Sequence, residues 1–270
     1  MNIIKTALRA IRQRAFGKTR KCLPSLLAFV LAIAVLFFGG TTVSEIVSKD
    51  NVAEKARQLL DDYDAYRRFL LLGDLPAYTG EPSVAVLDDF PDFSAEDFDV
   101  GWNYQEFSEL DSYGRCGPAI AVVGQESFPS EERGRIGMVK PSGWQISKYD
   151  FVDQKYLYNR CHLIGYQLTG VNADERNLIT GTRYMNVEGM LPLENRVADY
   201  IRTTGNHVLY RVTPIFEDEN LVASGVLMEA MSVEDGGESL RFCRFCYNVQ
   251  PGVVIDYATG QNWLEAENNE

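Results

Sequence analysis

An uncharged apolar run near the N-terminus constrains this chain most. The 17 residues from Cys22 to Phe38, CLPSLLAFVLAIAVLFF, carry no charge. As a helix they would extend roughly 25 Å, slightly less than a typical hydrocarbon core. Residues 1–40 contain seven Lys or Arg and no Asp or Glu. This pattern fits an ordinary core helix badly and predicts a transmembrane or signal helix at 22–40, after a basic cytoplasmic leader at 1–21.

Two forms of this segment remain open. An uncleaved anchor would hold the protein in the cell membrane through residues 22–40, whereas cleavage near Gly39-Gly40-Thr41 would release it. Because the basic flank stays in the cytoplasm, the rest of the chain faces outward in both cases. We therefore expect an extracellular domain that is either membrane-anchored or secreted.

The outward-facing part divides at a cluster of helix breakers. Apolar residues recur at helical spacing over 44–71, and glycines and prolines follow up to Pro82. We interpret 41–82 as a helical stalk and linker and 83–270 as one domain with a core at about 113–259. Turn signals separate predicted strands at 118–124, 207–214, 221–229, 239–249 and 253–257, around one helix at 183–203. This order predicts the α+β class.

The charge distribution limits the functions of this domain. The chain has a net charge of −12, and after residue 40 it holds 19 basic against 38 acidic groups. Such a body is unlike proteins that coat nucleic acid, so any phosphate binding must be local or assisted by a cation. Residues 131–211 are locally basic, with 11 basic and nine acidic groups. The acidic stretch at 88–99, DDFPDFSAEDFD, is predicted to be a solvated loop.

Four of the five cysteines lie in the exported part, where disulfides are permitted. Cys243 and Cys246 form a CxxC motif, but no second pair of ligands follows it. Their segment reads as a strand, in which positions three apart face opposite sides. Structural thiols or a long-range disulfide are therefore favoured over a zinc site.

Only two histidines are available as general bases. His207 lies at the start of the predicted strand 207–214, beside alternating apolar residues, which favours a structural role. His162 follows Arg160 by two residues, so both side chains point to one face if the segment is extended. A guanidinium can grip phosphate oxygens, and an imidazole with a pKa of about 6.5 can take a proton from water near neutral pH.

A second group of polar residues follows. Asn186 and Glu194 are eight positions apart, or about 80° around an ideal helix, so one helix side can show both. Pro192 lies between them and can kink or interrupt this helix. The amide oxygen of Asn186 is a hard ligand that suits Mg²⁺, and a neutral ligand leaves the full charge of the ion for a substrate.

Residues 113–259 resemble the bacterial DNA/RNA non-specific endonucleases, whose hallmark is Asp-Arg-Gly-His. The chain has Asn159-Arg160-Cys161-His162, followed by HLIGYQL, NLITGTRYMN and NVQPGVVIDYATG. The resemblance implies a ββα-metal core with a mainly antiparallel sheet. It also implies a Mg²⁺-dependent enzyme in which Mn²⁺ can replace Mg²⁺. The implied substrate is DNA, bound through its phosphate backbone, and whether RNA is also cut stays open. The implied residues are His162 as the base, Asn186 as the metal ligand, Arg160 and Arg183 as phosphate-binding residues, Asn177 as an auxiliary residue near the base, and Glu194 as the residue that orients metal-bound water.

The chain departs from the hallmark at two positions, neither of which is assigned chemistry. Asn159 replaces the acidic residue and Cys161 replaces the glycine, which affects the expected rate and metal affinity. Cys161 could anchor its strand, for example through a disulfide with Cys116. The alternative function is a catalytically weakened module that binds nucleic acid or a partner at the cell surface. A zinc protein built on Cys161, His162, Cys243 and Cys246 is a further alternative.

Overall fold

The computed structural model describes residues 75–94 and 96–266. The strands in these ranges are β1 Ser83–Ala85, β2 Gln105–Phe107, β3 Ala119–Val123, β4 Tyr158–His162, β5 Leu178–Thr182, β6 Val208–Ile215, β7 Gly225–Ser232, β8 Arg241–Tyr247, β9 Val253–Ile255 and β10 Asn262–Leu264. The helices are α1 Tyr166–Thr169 and α2 Leu191–Thr204, and a π-helical turn at Met185–Met190 leads into α2. Short 3₁₀ turns lie at Leu87–Asp89, Glu96–Phe98, Gln125–Ser127 and Glu175–Asn177.

The predicted leader, the apolar segment at 22–40 and the stalk helix at 44–71 lie outside the described residues. Within 75–94 and 96–266, no helix has the length and apolar character needed to cross a membrane.

Six antiparallel strands form the main sheet, in the order β1–β8–β7–β6–β3–β2. Its longest pairing joins β6 to β7, from Val208↔Ser232 to Ile215↔Gly225. Strand β7 is buried at every position except Met231, which shows that both faces of the sheet centre are covered. The fold is therefore mixed α+β with a mainly antiparallel sheet and one long helix, in agreement with the predicted class.

The two faces of the sheet carry separate apolar clusters. The larger cluster includes Val197 and Ile201 of α2, and the smaller one includes Val86 and Phe245 on the opposite face. Cys246 belongs to the first cluster and Cys243 to the second, as expected for positions three apart in a strand.

The cysteines of the described ranges, Cys116, Cys161, Cys243 and Cys246, are all free and buried. The suggested disulfide between Cys116 and Cys161 is therefore wrong. Cys116 instead donates from Sγ to the carbonyl oxygens of Glu175 and Leu178, both at 3.3 Å.

A separate strand–strand–helix unit follows the first half of the main sheet. Strand β4 pairs antiparallel with β5, from Tyr158↔Thr182 to His162↔Leu178, and the π-helical turn and α2 come directly afterwards. This unit brings the Arg160–His162 pair next to the helix that carries Asn186 and Glu194.

Pro192 changes the helix without ending it. Because proline has no N–H and crowds the preceding turn, the turn before it widens, and the N–H of Leu191 bonds to the carbonyl of Asn186. Gly189 allows this turn to approach β8, since a Cβ there would lie 3.3 Å from Cβ of Cys246. The helical segment continues from 185 to 204, since packing holds both the π-helical turn and α2 against the sheet.

Two other predictions need correction. The acidic stretch is anchored to the sheet: Asp89 accepts two hydrogen bonds at 2.9 Å from the Arg244 guanidinium, and the Asp92 carbonyl accepts one from Arg211. Strand β7 begins four residues later than predicted, because Val222 bonds to Tyr257 instead of a neighbouring strand.

Candidate active site

A cleft of about 520 Å³ lies where β4 meets the π-helical turn and the start of α2. Of the six residues predicted for the site, five line this cleft and Asn177 does not. The lining residues are Arg133, Ile136, Asn159, Arg160, His162, Gly165, Tyr166, Gln167, Arg183, Asn186, Val187, Leu191 and Glu194.

His162 ends β4 and is 6% exposed. Its Nε2 lies 2.8 Å from the carbonyl oxygen of Asn172, so Nε2 carries the proton and donates. Its Nδ1 lies 3.3 Å from Nη2 of Arg133 and accepts. Burial lowers the pKa of His162 to about 4; the Asn172 carbonyl opposes this, and the Arg133 charge adds to it. The imidazole is therefore neutral at pH 7, and it is a weaker base than the sequence predicted.

The side-chain amide of Asn186 has a partner at each end. Its Nδ2 donates to Oδ1 of Asn159 at 3.3 Å, and its Oδ1 accepts from Sγ of Cys161 at 3.0 Å. Burial raises the pKa of Cys161, so the thiol keeps its proton and can donate. Two residues of β4 therefore hold the amide that the π-helical turn presents.

Glu194 is a buried carboxyl group on the cleft wall, with 8% exposure. It lies against Gly165, where a Cβ would come within 2.6 Å of a carboxylate oxygen. Burial raises the pKa of Glu194 to about 7, although a hydrogen bond from Gln167 and the charge of Arg133 act in the opposite direction. The carboxyl group can therefore change its charge near neutral pH.

Arg160 and Arg183 line the cleft while they also hold the loops around it. Arg160 stacks on Trp144, 4.1 Å from the ring centroid, and donates to the carbonyls of Gly137 and Val139. Arg183 donates to Asp153 at 2.6 and 3.0 Å and to Asn159 at 3.3 Å. Together with Arg133, these side chains provide three guanidinium groups for an anionic substrate.

The donor set fits a hard divalent cation with few protein ligands. Oδ1 of Asn186 accepts from a thiol, which is a weak donor, so one of its two lone pairs is left for an ion. Within the described ranges, no three His, Cys, Asp or Glu side chains are grouped so that they could hold a metal ion. This donor geometry does not support the zinc alternative.

A family model described as DNA/RNA non-specific endonuclease matches residues 97–234, slightly more than half of the chain. The chain belongs to the DNA/RNA non-specific endonuclease family. The match contains every residue that lines the cleft.

Solved structures of two nucleases resemble this endonuclease-family chain. NucA from Streptococcus agalactiae with magnesium bound is 25% identical, with a TM-score of 0.62, covering 74% of this chain and 97% of NucA. Metal-free NucA is 26% identical, with a TM-score of 0.61, covering 74% of this chain and 96% of NucA. Sda1 nuclease with bound zinc is 24% identical, with a TM-score of 0.53 and coverages of 69% and 97%, and supports the fold alone. No curated protein matches the chain.

Asn177 lies behind the cleft of this family member. It is fully buried, its Oδ1 accepts from the N–H of Ile164 at 2.9 Å, and its Nδ2 donates to the carbonyl of Ile164 at 3.0 Å. The amide therefore fixes the backbone that follows His162. A catalytic role for Asn177 stays a prediction, and these contacts favour a positioning role.

Sequence reasoning missed two residues that shape the endonuclease cleft. Arg133 contacts His162 from 29 positions earlier in the chain, in a loop with no periodic pattern. Gly165 leaves room for the Glu194 carboxylate. The clustering of basic residues at 133–140 was a usable signal for Arg133, but no local signal pointed to Gly165.

Proposed function

We propose that this member of the family is a Mg²⁺-dependent non-specific endonuclease that hydrolyses the phosphodiester bonds of DNA. The observation that carries the proposal is the shared cleft of His162 and Asn186. One supplies a neutral ring nitrogen and the other an amide oxygen, beside three guanidinium groups. A base, a hard oxygen ligand and phosphate-binding cations are the groups that this hydrolysis needs.

His162 acts as the general base at Nδ1, because Nε2 is committed to the Asn172 carbonyl. Arg133 occupies Nδ1 without substrate, and a phosphate group competes for this guanidinium through stronger, charge-assisted hydrogen bonds. When Arg133 turns to the phosphate, Nδ1 is free to take the proton of the attacking water. The Asn172 carbonyl and the Asn177-held backbone keep the ring oriented while the proton is transferred.

Asn186 would hold Mg²⁺ together with water molecules, and Mn²⁺ could replace it. When bound, the ion supplies positive charge that offsets the negative charge developing on the phosphoryl group and the leaving oxygen. Ionised Glu194 accepts a hydrogen bond from water in the cleft and orients it. Arg160 and Arg183 bind phosphate oxygens, so recognition rests on the backbone and sequence preference is slight.

The N-terminal sequence supports an extracellular location for this activity. The basic leader and the apolar segment at 22–40 would anchor the nuclease to the membrane, or direct its secretion after cleavage. Immunodetection of the protein in membrane and medium fractions distinguishes the two forms.

The function is tested by incubating the full-length protein with supercoiled plasmid, linear duplex DNA and RNA. We expect cleavage of DNA in Mg²⁺ or Mn²⁺ and no cleavage in excess chelator, and the RNA reaction decides the second substrate. From the family resemblance we expect products with 5′-phosphates, detectable by end-labelling. Full activity in chelator would exclude the metal role of Asn186.

A catalytically weakened binding module is the second candidate. It is favoured by the contact of Arg133 with Nδ1 and by the neutral Asn159 at the hallmark position that is acidic in the family. This candidate predicts nucleic-acid binding in a mobility-shift assay without cleavage under any metal condition.

A further inference from the structure

Cys161 contacts the proposed metal ligand at the point where the chain departs from the family hallmark. Its Sγ lies 3.0 Å from Oδ1 of Asn186 and 3.4 Å from Sδ of Met190. The side chain is 1% exposed. The thiol thus has one oxygen acceptor within a sulfur-rich, water-excluded environment, and this acceptor lines the cleft.

The neighbouring strand leaves room for this cysteine. A Cβ at Gly181 would lie 2.7 Å from Cβ and 3.2 Å from Sγ of Cys161, and 2.8 Å from Cε of Met185. Any larger residue at 181 would therefore displace the cysteine. Gly181 on one side and Met190 on the other hold the thiol where it meets Asn186.

The two partners of the Asn186 amide select one of its two orientations. In the observed orientation Nδ2 donates to the Asn159 oxygen, and Oδ1 accepts from the Cys161 thiol. If the amide turned over, its oxygen would face the oxygen of Asn159, and two acceptors would meet. Its NH₂ group would face sulfur, which is a weak acceptor.

We propose that Cys161 is a positioning residue that, with Asn159, fixes the Asn186 amide so that its oxygen is available to a divalent cation. The inference rests on the proposed function, because it assigns Cys161 a task only if Asn186 binds the ion. It gives the residue that replaces the family glycine a role in metal binding, at a distance from the reacting phosphate.

The test measures Mg²⁺ binding by calorimetry on the full-length protein without nucleic acid, with Cys161→Ala and Cys161→Ser. Alanine removes the donor, so we expect Mg²⁺ binding to weaken about 3- to 10-fold. This loss of affinity is no larger than that usually seen when a residue that orients a metal ligand is removed. Serine retains a donor and should keep the affinity near the wild-type value. The Mg²⁺ concentration for half-maximal cleavage should shift in parallel.

Cys116→Ala is the matched control, because Cys116 is also a buried free thiol, and it donates to backbone carbonyls away from the cleft. We expect this variant to lose thermal stability as Cys161→Ala does, while its Mg²⁺ affinity stays unchanged. Wild-type affinity in Cys161→Ala would overturn the inference, and so would equal weakening in the alanine and serine variants. Absence of Mg²⁺ binding by the wild-type protein would instead overturn the proposed function, and the inference with it.

Discussion

The chain has two histidines, and the groups that contact their imidazole rings carry opposite charges. His162 meets a backbone carbonyl at one nitrogen and the Arg133 guanidinium at the other. His207 meets carboxylates at both nitrogens, with Nδ1 2.6 Å from Glu234 and Nε2 3.0 Å from Glu126. The ring of Trp102 stacks on His207 at 4.1 Å. We name His207, Glu126, Glu234 and Trp102 the carboxylate clasp.

The same side chain can therefore have different roles, depending on its burial and on the charge of its neighbours. The two carboxylates of the clasp hold the ring of His207, and none of these groups lines the cleft. A structural role for His207 stays a prediction, and these contacts favour it. His162 faces a cation within a buried environment, so it stays neutral and keeps a lone pair for a proton.

The largest expected effect comes from exchanging the two histidines separately for alanine. His162→Ala should reduce the cleavage rate by about 10²–10⁴-fold, because the proposed general base is lost, while the protein stays folded. His207→Ala should keep the cleavage rate but lose about 1–2 kcal/mol of stability, through lost hydrogen bonds to the carboxylates and lost stacking. Initial rates and chemical denaturation check both variants, and the reverse pattern would contradict the comparison.

The cleft and the carboxylate clasp should also respond differently when an asparagine side chain is removed. Asn186→Ala should lower cleavage at least about tenfold at limiting Mg²⁺, with partial recovery at high Mg²⁺, because waters would replace the proposed ligand. Asn206→Ala, beside the clasp, is the matched change and should leave the Mg²⁺ dependence unaltered. Cleavage measured over a Mg²⁺ titration checks the pair; identical curves for all three proteins would remove Asn186 from the metal site.

Glu194 provides a smaller, pH-dependent effect in the cleft. Its pKa is raised from the ordinary value of 4.5 to about 7, so the folded state holds this proton more tightly than the unfolded state. Stability from this group is therefore present at pH 4 and is lost as the pH rises toward 7. Glu194→Gln should increase the melting temperature relative to wild type more at pH 8 than at pH 5, measured in chelator. An equal difference at both pH values would refute the burial effect.

The clasp should show the opposite pH dependence, with the smallest magnitude. Burial tends to raise the pKa of Glu234, but hydrogen bonds from His207 bring it below the ordinary value. Its contribution is therefore present above the unfolded pKa and is lost as the pH falls through the folded pKa. Glu234→Gln should lower the melting temperature at pH 7 and have little effect at pH 3. A larger effect at pH 3 than at pH 7 would argue against the clasp.

The sequence predicted those parts of the fold and site that depend on local periodicity. Strand β3 followed from an apolar run, and the shared face of Arg160 and His162 followed from strand alternation. The spacing of Asn186 and Glu194 predicted that both lie on one side of a helix. The sequence also predicted that Pro192 could kink or interrupt this helix, and in the structure the turn before Pro192 is π-helical.

What the sequence could not predict depends on contacts between distant segments. The lowered pKa of His162 requires burial and Arg133, which lies in an irregular loop. The acidic stretch looked solvated, because its arginine partners Arg211 and Arg244 are more than 100 positions away. Cys161 gave no sign that it would bond to Asn186, since their contact depends on the approach of the helix to β4.

The most direct test of the central claim is chemical rescue of His162→Gly in plasmid cleavage with saturating Mg²⁺. If His162 removes a proton from water beside the ion held at Asn186, added imidazole should restore cleavage in proportion to its unprotonated fraction. The same imidazole should not rescue Asn186→Ala. Wild-type cleavage by His162→Gly without imidazole would contradict the account.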